Sequence, residues 1–267
     1  AKEWAIRMKE KGISYKTISN DKRSLKAAFY TAIQDDCIRK NPFDFQLNTV
    51  IEDDTEPKVP LTPAQEESFL SFAQNDKVYQ KYYDELIILL GTGLRISELC
   101  GLTDTDINFE NRIINVDHQL LRSAKTGYYI ETPKTKSGIR QIPMSEKVYE
   151  AFNRVLKRRR GAKAVTIDGY SNFLFLNRDG YPKTATNYDG MFRGHAKKYN
   201  KYHEEALPKV MTPHTLRHTF CTNMANAGMN PKALQYITGH SNITMTLNYY
   251  AHATFDSAKA EMLRIAA

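Results

Sequence analysis

The sequence lacks long apolar runs, and no stretch approaches the roughly 18 consecutive apolar residues that a membrane-spanning helix needs. Residues 1–30 also lack the apolar core of a secretory signal. Cysteine is scarce: Cys37, Cys100 and Cys221 are the only three in 267 residues. They lie far apart, forming no CxxC pair and no even disulfide framework, so reduced, buried thiols are expected. No internal repeat or low-complexity tract is present. These absences argue against membrane-spanning, secreted and solenoid proteins and lead to the expectation of an intracellular chain. Hydrophobic residues make up 41% and charged residues 25%, enough to bury a core in one large domain or two smaller ones.

Positive charge is in excess: 38 Lys and Arg face 30 Asp and Glu, for a net charge of +8. That balance favours a polyanionic partner, although charge becomes informative only beside residues that handle phosphate.

Residues 1–50 read as helical. A short first segment ends near Gly12, and 17–36 carries apolar residues at the helical period. Lys16, Arg23 and Lys26 lie on this second helix, either as a solvated face or as contacts to phosphate. The acidic, proline-containing stretch 51–61 reads as a linker. Thr62, Pro63 and Gln65 then form a helix start with a capping box. A strongly apolar helix at 82–90 is expected to break at Gly91 and Gly93 before a second helix bearing Arg95. The period then changes: 107–109 and 112–116 alternate around a turn, and further strands are expected at 119–123, 128–132 and 139–143. Ser145 opens a helix ending in cations and Gly161. The rest reads as helical apart from a short FLFL strand at 173–176, with a final helix at 254–265. The fold class is therefore mainly α with a small antiparallel β-sheet (α+β), in a helical piece at 1–50, the linker 51–61 and a larger domain at 62–267.

Two islands carry chemistry. GLRISEL holds Arg95, with Glu98 three positions on as a candidate ion-pair partner. PHTLRHTF places His214, Arg217 and His218 on one helical face. His214 and His218 have the spacing of a helical zinc site, but Thr215 stands where such a site carries glutamate, so no metal is expected. ITGH holds His240, followed by Tyr249 and Tyr250. Cleaving a phosphodiester requires fixed cations at the non-bridging oxygens, a deprotonated nucleophile and a protonated leaving group. Arginine suits the first task because its planar fork donates parallel hydrogen bonds and keeps its proton. A tyrosine hydroxyl can serve as the nucleophile.

In combination, these motifs resemble the tyrosine recombinase, or phage integrase, family across nearly all of 60–265. GLRISEL matches its first arginine box, HTLRHTF its His-x-x-Arg box and LQYITGH its glycine–histidine turn. The run NPKALQYITGHSNITMTLNYYAHATFDSA is especially similar to integrases of Gram-positive conjugative transposons. The resemblance implies a tyrosine-recombinase catalytic domain preceded by a partial helical core-binding domain whose further N-terminal helices lie outside this chain. It implies catalytic roles for Arg95, Lys134, His214, Arg217, His240 and Tyr249. Lys136 is the alternative lysine, expected on the same strand face as Lys134, and Tyr250 is the alternative nucleophile. Tyr249 is favoured because the family's histidine-to-tyrosine spacing is nine residues. Lys136 and Arg140 join Lys16, Arg23 and Lys26 as expected DNA contacts.

The implied activity is site-specific integration and excision of a mobile element through a 3′-phosphotyrosine intermediate, without a cofactor. Implied partners are double-stranded DNA, further copies of the chain docked through the terminal helix, and accessory DNA-bending proteins. The implied setting is the cytoplasm of a bacterium, on the nucleoid. Relaxation of DNA in the manner of a type IB topoisomerase and non-enzymatic DNA binding are the competing readings.

Overall fold

The computed structural model describes residues 1–55, 59–133, 135–159, 165–204, 206–208, 210–250 and 262–263. Lys134 lies outside the described residues, as does all of the expected terminal helix except Met262 and Leu263. The chain divides into two compact units, Ala1–Lys58 and Val59–Ala267.

The first unit holds α1 (Lys2–Glu10) and α2 (Tyr15–Gln34). Ser14 caps α2, its hydroxyl accepting from the Thr17 amide at 3.3 Å. The unit's small core is Ala5, Ile18, Leu47 and Ile51, with Trp4 and Met8 packed against it. Ion pairs from Lys9 to Asp54 and from Lys26 to Asp44 join the helices to the chain that follows them.

The second unit begins with α3 (Pro63–Asn75), whose capping box pairs Thr62 and Gln65 as expected. Next come α4 (Tyr83–Thr92) and α5 (Ile96–Gly101). The strands are β1 (Ile107–Asn108), β2 (Ile113–Val116), β3 (Gln119–Ser123), β4 (Gly127–Glu131) and β5 (Arg140–Pro143). The β1, β2 and β5 strands form one antiparallel sheet, while β3 and β4 form a separate hairpin. The remaining helices are α6 (Glu146–Arg159), α7 (Ala185–Tyr202), α8 (Pro213–Asn226), α9 (Pro231–Thr238) and α10 (Ile243–Leu247).

α4 is the central element. Leu86, Ile88, Leu89 and Leu90 are buried on it, and it packs against both α6 and α8. Each such side chain contributes about 1.5–3 kcal/mol by leaving water. Close packing also explains why Gly91 does not break the helix as expected. A Cβ there would lie 2.4 Å from Val148 Cγ2, so glycine lets α6 approach α4. The FLFL segment is not a strand either. Its ends form isolated bridges, Thr103 to Phe173 and Leu176 to Pro182, and among the described residues no strand pairs along it.

Candidate active site

The site is built where α4 stops. Gly93 closes α4 in the left-handed region (φ 63°), and a Cβ on it would lie 2.3 Å from the Phe220 ring. This turn exposes the Gly93 carbonyl, which accepts from Arg217 Nη1 at 2.6 Å. Arg217 Nη2 donates to the Thr238 carbonyl, also at 2.6 Å. Carbonyls from two separate elements thus fix a guanidinium that is only 5% exposed. Burial, then repulsion from Arg95, pushes its pKa down to about 10, so it stays charged at neutral pH.

Arg95 is the N-cap residue of α5, two positions beyond Gly93. Its Nη1 donates to Glu98 Oε1 at 2.7 Å and its Nη2 to the Gly239 carbonyl at 3.0 Å. With 34% of its side chain exposed, Arg95 still faces solvent. The Gly239 turn that ends α9 is also left-handed (φ 65°) and tightly enclosed, with Ser137 O 2.9 Å from where a Cβ would sit. Glu98 is buried. Burial alone would raise its carboxyl pKa, but hydrogen bonds and charge from Arg140, with charge from Arg95, outweigh this and lower it.

His240 follows Gly239 and is 4% exposed, with Nδ1 2.9 Å from the Thr246 hydroxyl on α10. Burial and the charges of Arg217, Arg95 and Arg140 push its pKa down to about 4, so the ring is neutral at physiological pH. In the tautomer where Thr246 donates to Nδ1, the proton sits on Nε2, leaving a donor for a phosphate oxygen.

The two tyrosines differ. The Tyr249 ring lies parallel to His240, with centroids 6.4 Å apart, and edge-on to His218 at 5.0 Å. It packs against the cluster of Phe220, Cys221 and Leu234, the Cys221 thiol lying one turn beyond Arg217 on α8. Burial and that thiol push its pKa up to about 12, with Arg217 opposing. Tyr250 instead donates its hydroxyl to the Met229 carbonyl at 2.6 Å.

Arg95, Arg217, His240 and Tyr249 are therefore brought to one corner of the unit. His214 lies on the first turn of α8 and is exposed. A cavity of about 170 Å³ beside Arg95 is bounded by Glu98, His118, Gln119, Pro133, Thr135 and Gly239. The residues on either side of Lys134 therefore line the space next to Arg95. Lys136 is exposed in a 3₁₀ turn, Lys136–Gly138, rather than on a strand, because β5 begins only at Arg140.

The expectation of Arg140 as a DNA contact is corrected: its side chain is 0% exposed. Its guanidinium is spent on Glu98 and on the carbonyls of Ile237 and Gly138. A signal for this was present, because strand alternation puts Arg140 on the same inward face as Ile142. On α2, Lys16 and Arg23 are exposed, whereas Lys26 is paired with Asp44 at 2.6 Å. Sequence reasoning also missed Thr246 and Cys221, for which spacing offered no signal. Among the described residues one group, Asp106, Asp117 and His118, has its donor atoms close enough to hold a metal ion. Both ring nitrogens of His118 are already engaged, Nε2 by the Gly101 carbonyl at 2.8 Å and Nδ1 by Asp117 at 2.5 Å.

Residues 60–257 match the model of the phage integrase family. The chain belongs to that family. It is 69% identical over 265 residues to the transposase from transposon Tn916 of Enterococcus faecalis, covering 99% of this chain and 65% of that protein. The Tn1545 transposase of Streptococcus pneumoniae matches with the same identity and coverage. The chain thus spans about 65% of the length of these curated relatives. This phage integrase family member also superposes on the Tn1549 transposon integrase in complex with a circular intermediate DNA. That match has a TM-score of 0.94 and 76% identity over 99% of this chain and 84% of that one. One Tn1549 complex carries an arginine-to-lysine substitution. Another, with transposon right end DNA, carries tyrosine to phenylalanine 154 positions further on.

Proposed function

We propose that this chain is the DNA-cutting and rejoining part of a site-specific recombinase that moves a conjugative transposon. The observation that carries this reading is the corner in which Arg95 and Arg217, each held by backbone carbonyls, meet His240 and Tyr249. Two pre-aimed guanidiniums stabilise the charge that develops on the non-bridging oxygens during attack. His240 Nε2 adds a neutral donor, and His214 completes the cradle from the first turn of α8.

Tyr249 is the nucleophile in this reading. Its oxygen bonds to phosphorus as the bond from phosphorus to the 5′ oxygen breaks. The tyrosine gives up its proton to solvent with the help of His214, and the leaving 5′ oxygen gains one from Lys134. The phosphodiester energy is kept in the phosphotyrosine link, so rejoining needs no nucleotide cofactor. Two facts support Tyr249 over Tyr250. The Tyr250 hydroxyl is committed to the Met229 carbonyl. The arginine and tyrosine substituted in the Tn1549 complexes are as far apart as Arg95 and Tyr249.

The partner is double-stranded DNA inside a bacterial cell. Residues 1–50 are part of a core-binding domain, with Lys16 and Arg23 toward the phosphates, and Lys26 in a lesser role because Asp44 offsets it. Further copies of the chain assemble on the DNA through the segment 254–265, with DNA-bending proteins as accessory partners. A nicked duplex carrying the circular-intermediate sequence of the Tn1549 complexes tests the reading. A covalent protein–DNA adduct should appear on a denaturing gel, persist in Tyr250→Phe and vanish in Tyr249→Phe. Adducts that persist in Tyr249→Phe and vanish in Tyr250→Phe would reverse the assignment. Relaxation of plasmids without sequence preference would favour a topoisomerase instead.

A further inference from the structure

Glu98 stands between two guanidiniums. Its Oε1 accepts from Arg95 Nη1 at 2.7 Å and from Arg140 Nη1 at 3.0 Å. Its Oε2 accepts from the Arg95 amide at 2.8 Å and from Arg140 Nη2 at 2.8 Å. Arg95 and Arg140 are otherwise unlike. The Arg140 side chain is fully enclosed, whereas that of Arg95 reaches solvent and the cavity beside it. Arg140 forms the two-toothed contact with the carboxylate, and its Nε is anchored on the Ile237 carbonyl at 2.6 Å. Its Nη1 also reaches the Gly138 carbonyl at 3.1 Å, at the end of the turn that follows Lys134.

A buried carboxylate neutralises about one positive charge. With Arg140 locked onto it, Glu98 can orient Arg95 through a hydrogen bond without cancelling its charge. Without Arg140, Glu98 and Arg95 would form a closed pair, and an incoming phosphate would have to compete with a buried carboxylate for the same guanidinium. The three anchor points also tie α5, the turn beyond Lys134 and the end of α9 to one rigid side chain.

We propose that Arg140 is a positioning residue that takes up the charge of Glu98 and so keeps Arg95 available for the scissile phosphate. This role rests on the recombinase reading above. It leaves Arg140 untouched by DNA, so its loss acts on cleavage rather than binding.

The test measures single-turnover cleavage of the nicked circular-intermediate duplex, together with DNA affinity and melting temperature. Arg140→Met should slow cleavage about 100-fold with affinity within about threefold of wild type. Adding Glu98→Gln removes the competing carboxylate, so the double variant should regain about tenfold over Arg140→Met alone, a coupling of neighbouring groups. Arg140→Lys keeps the charge but not the fork and should lose only about tenfold. It also serves as the variant of record if Arg140→Met fails to fold. The proposal is overturned if Arg140→Met cleaves at the wild-type rate, if Glu98→Gln gives no recovery, or if Arg140→Lys is as impaired as Arg140→Met. A wild-type chain that forms no adduct on this duplex would instead remove the recombinase reading itself.

Discussion

The corner at α8 and α9 and the helix α2 both carry cations, but they hold them in opposite ways. Arg217 is buried, with a backbone carbonyl on each terminal nitrogen, and Arg140 is enclosed altogether. On α2, Lys16 and Arg23 stand in solvent, and Lys26 shares an exposed pair with Asp44. In the proposed role, Arg217 loses hydration and rotamer freedom on folding and in return arrives at the phosphate already aimed, while Arg140 holds Glu98 in place. An exposed cation keeps its freedom, is screened by salt and contributes charge rather than direction. The first kind of site depends on the shape of the side chain, and the second only on its sign.

Swapping arginine for lysine should separate the two regions most sharply. Arg217→Lys cannot reach the Gly93 and Thr238 carbonyls together while presenting a planar fork. Single-turnover cleavage should fall about 10²–10³-fold. Arg23→Lys should leave both cleavage and binding unchanged. Cleavage by Arg217→Lys within threefold of wild type would break the comparison.

Acid should act on the buried unit next. His240 and the fully buried His195, packed between Phe69, Phe72 and Tyr79, both have pKa values pushed down to about 4, burial being the first cause. The unfolded chain therefore binds protons first as the pH drops. Stability is full above about 6.5 and falls toward 4, by about 3 kcal/mol per ring at the acid end. Calorimetric melting between pH 7 and 4 should show this loss, and His195→Phe should remove about half of it. An identical acid loss in wild type and His195→Phe would refute the assignment to His195.

The smallest effect belongs to α2. Arg23→Gln should lower DNA affinity only a few-fold and reduce the slope of log affinity against log salt by about one. An unchanged slope would take Arg23 off the DNA.

Much of this was legible in advance because local chemistry repeats. The capping box of Thr62 and Gln65, the β3 span and the helical run of α2 follow from periods and end signals that depend on near neighbours. The four residues gathered at the corner were legible for another reason, since their motifs match a family in type and order. What failed depended on distant partners. Gly91 stayed helical, leaving the space that Val148 on α6 fills, and FLFL formed no strand because no strand among the described residues pairs with it.

By itself the sequence determined the fold class, the family and the identities of the side chains proposed to handle phosphate, because those rest on residue type and spacing. Only the tertiary structure decided which cations are buried and what the Tyr250 hydroxyl touches. Arg140 faces Glu98 across 42 positions of chain, Arg217 meets Gly93 across 124 and Tyr250 meets Met229 across 21. Contacts at such separations are set by how helices and strands pack, which no local pattern encodes.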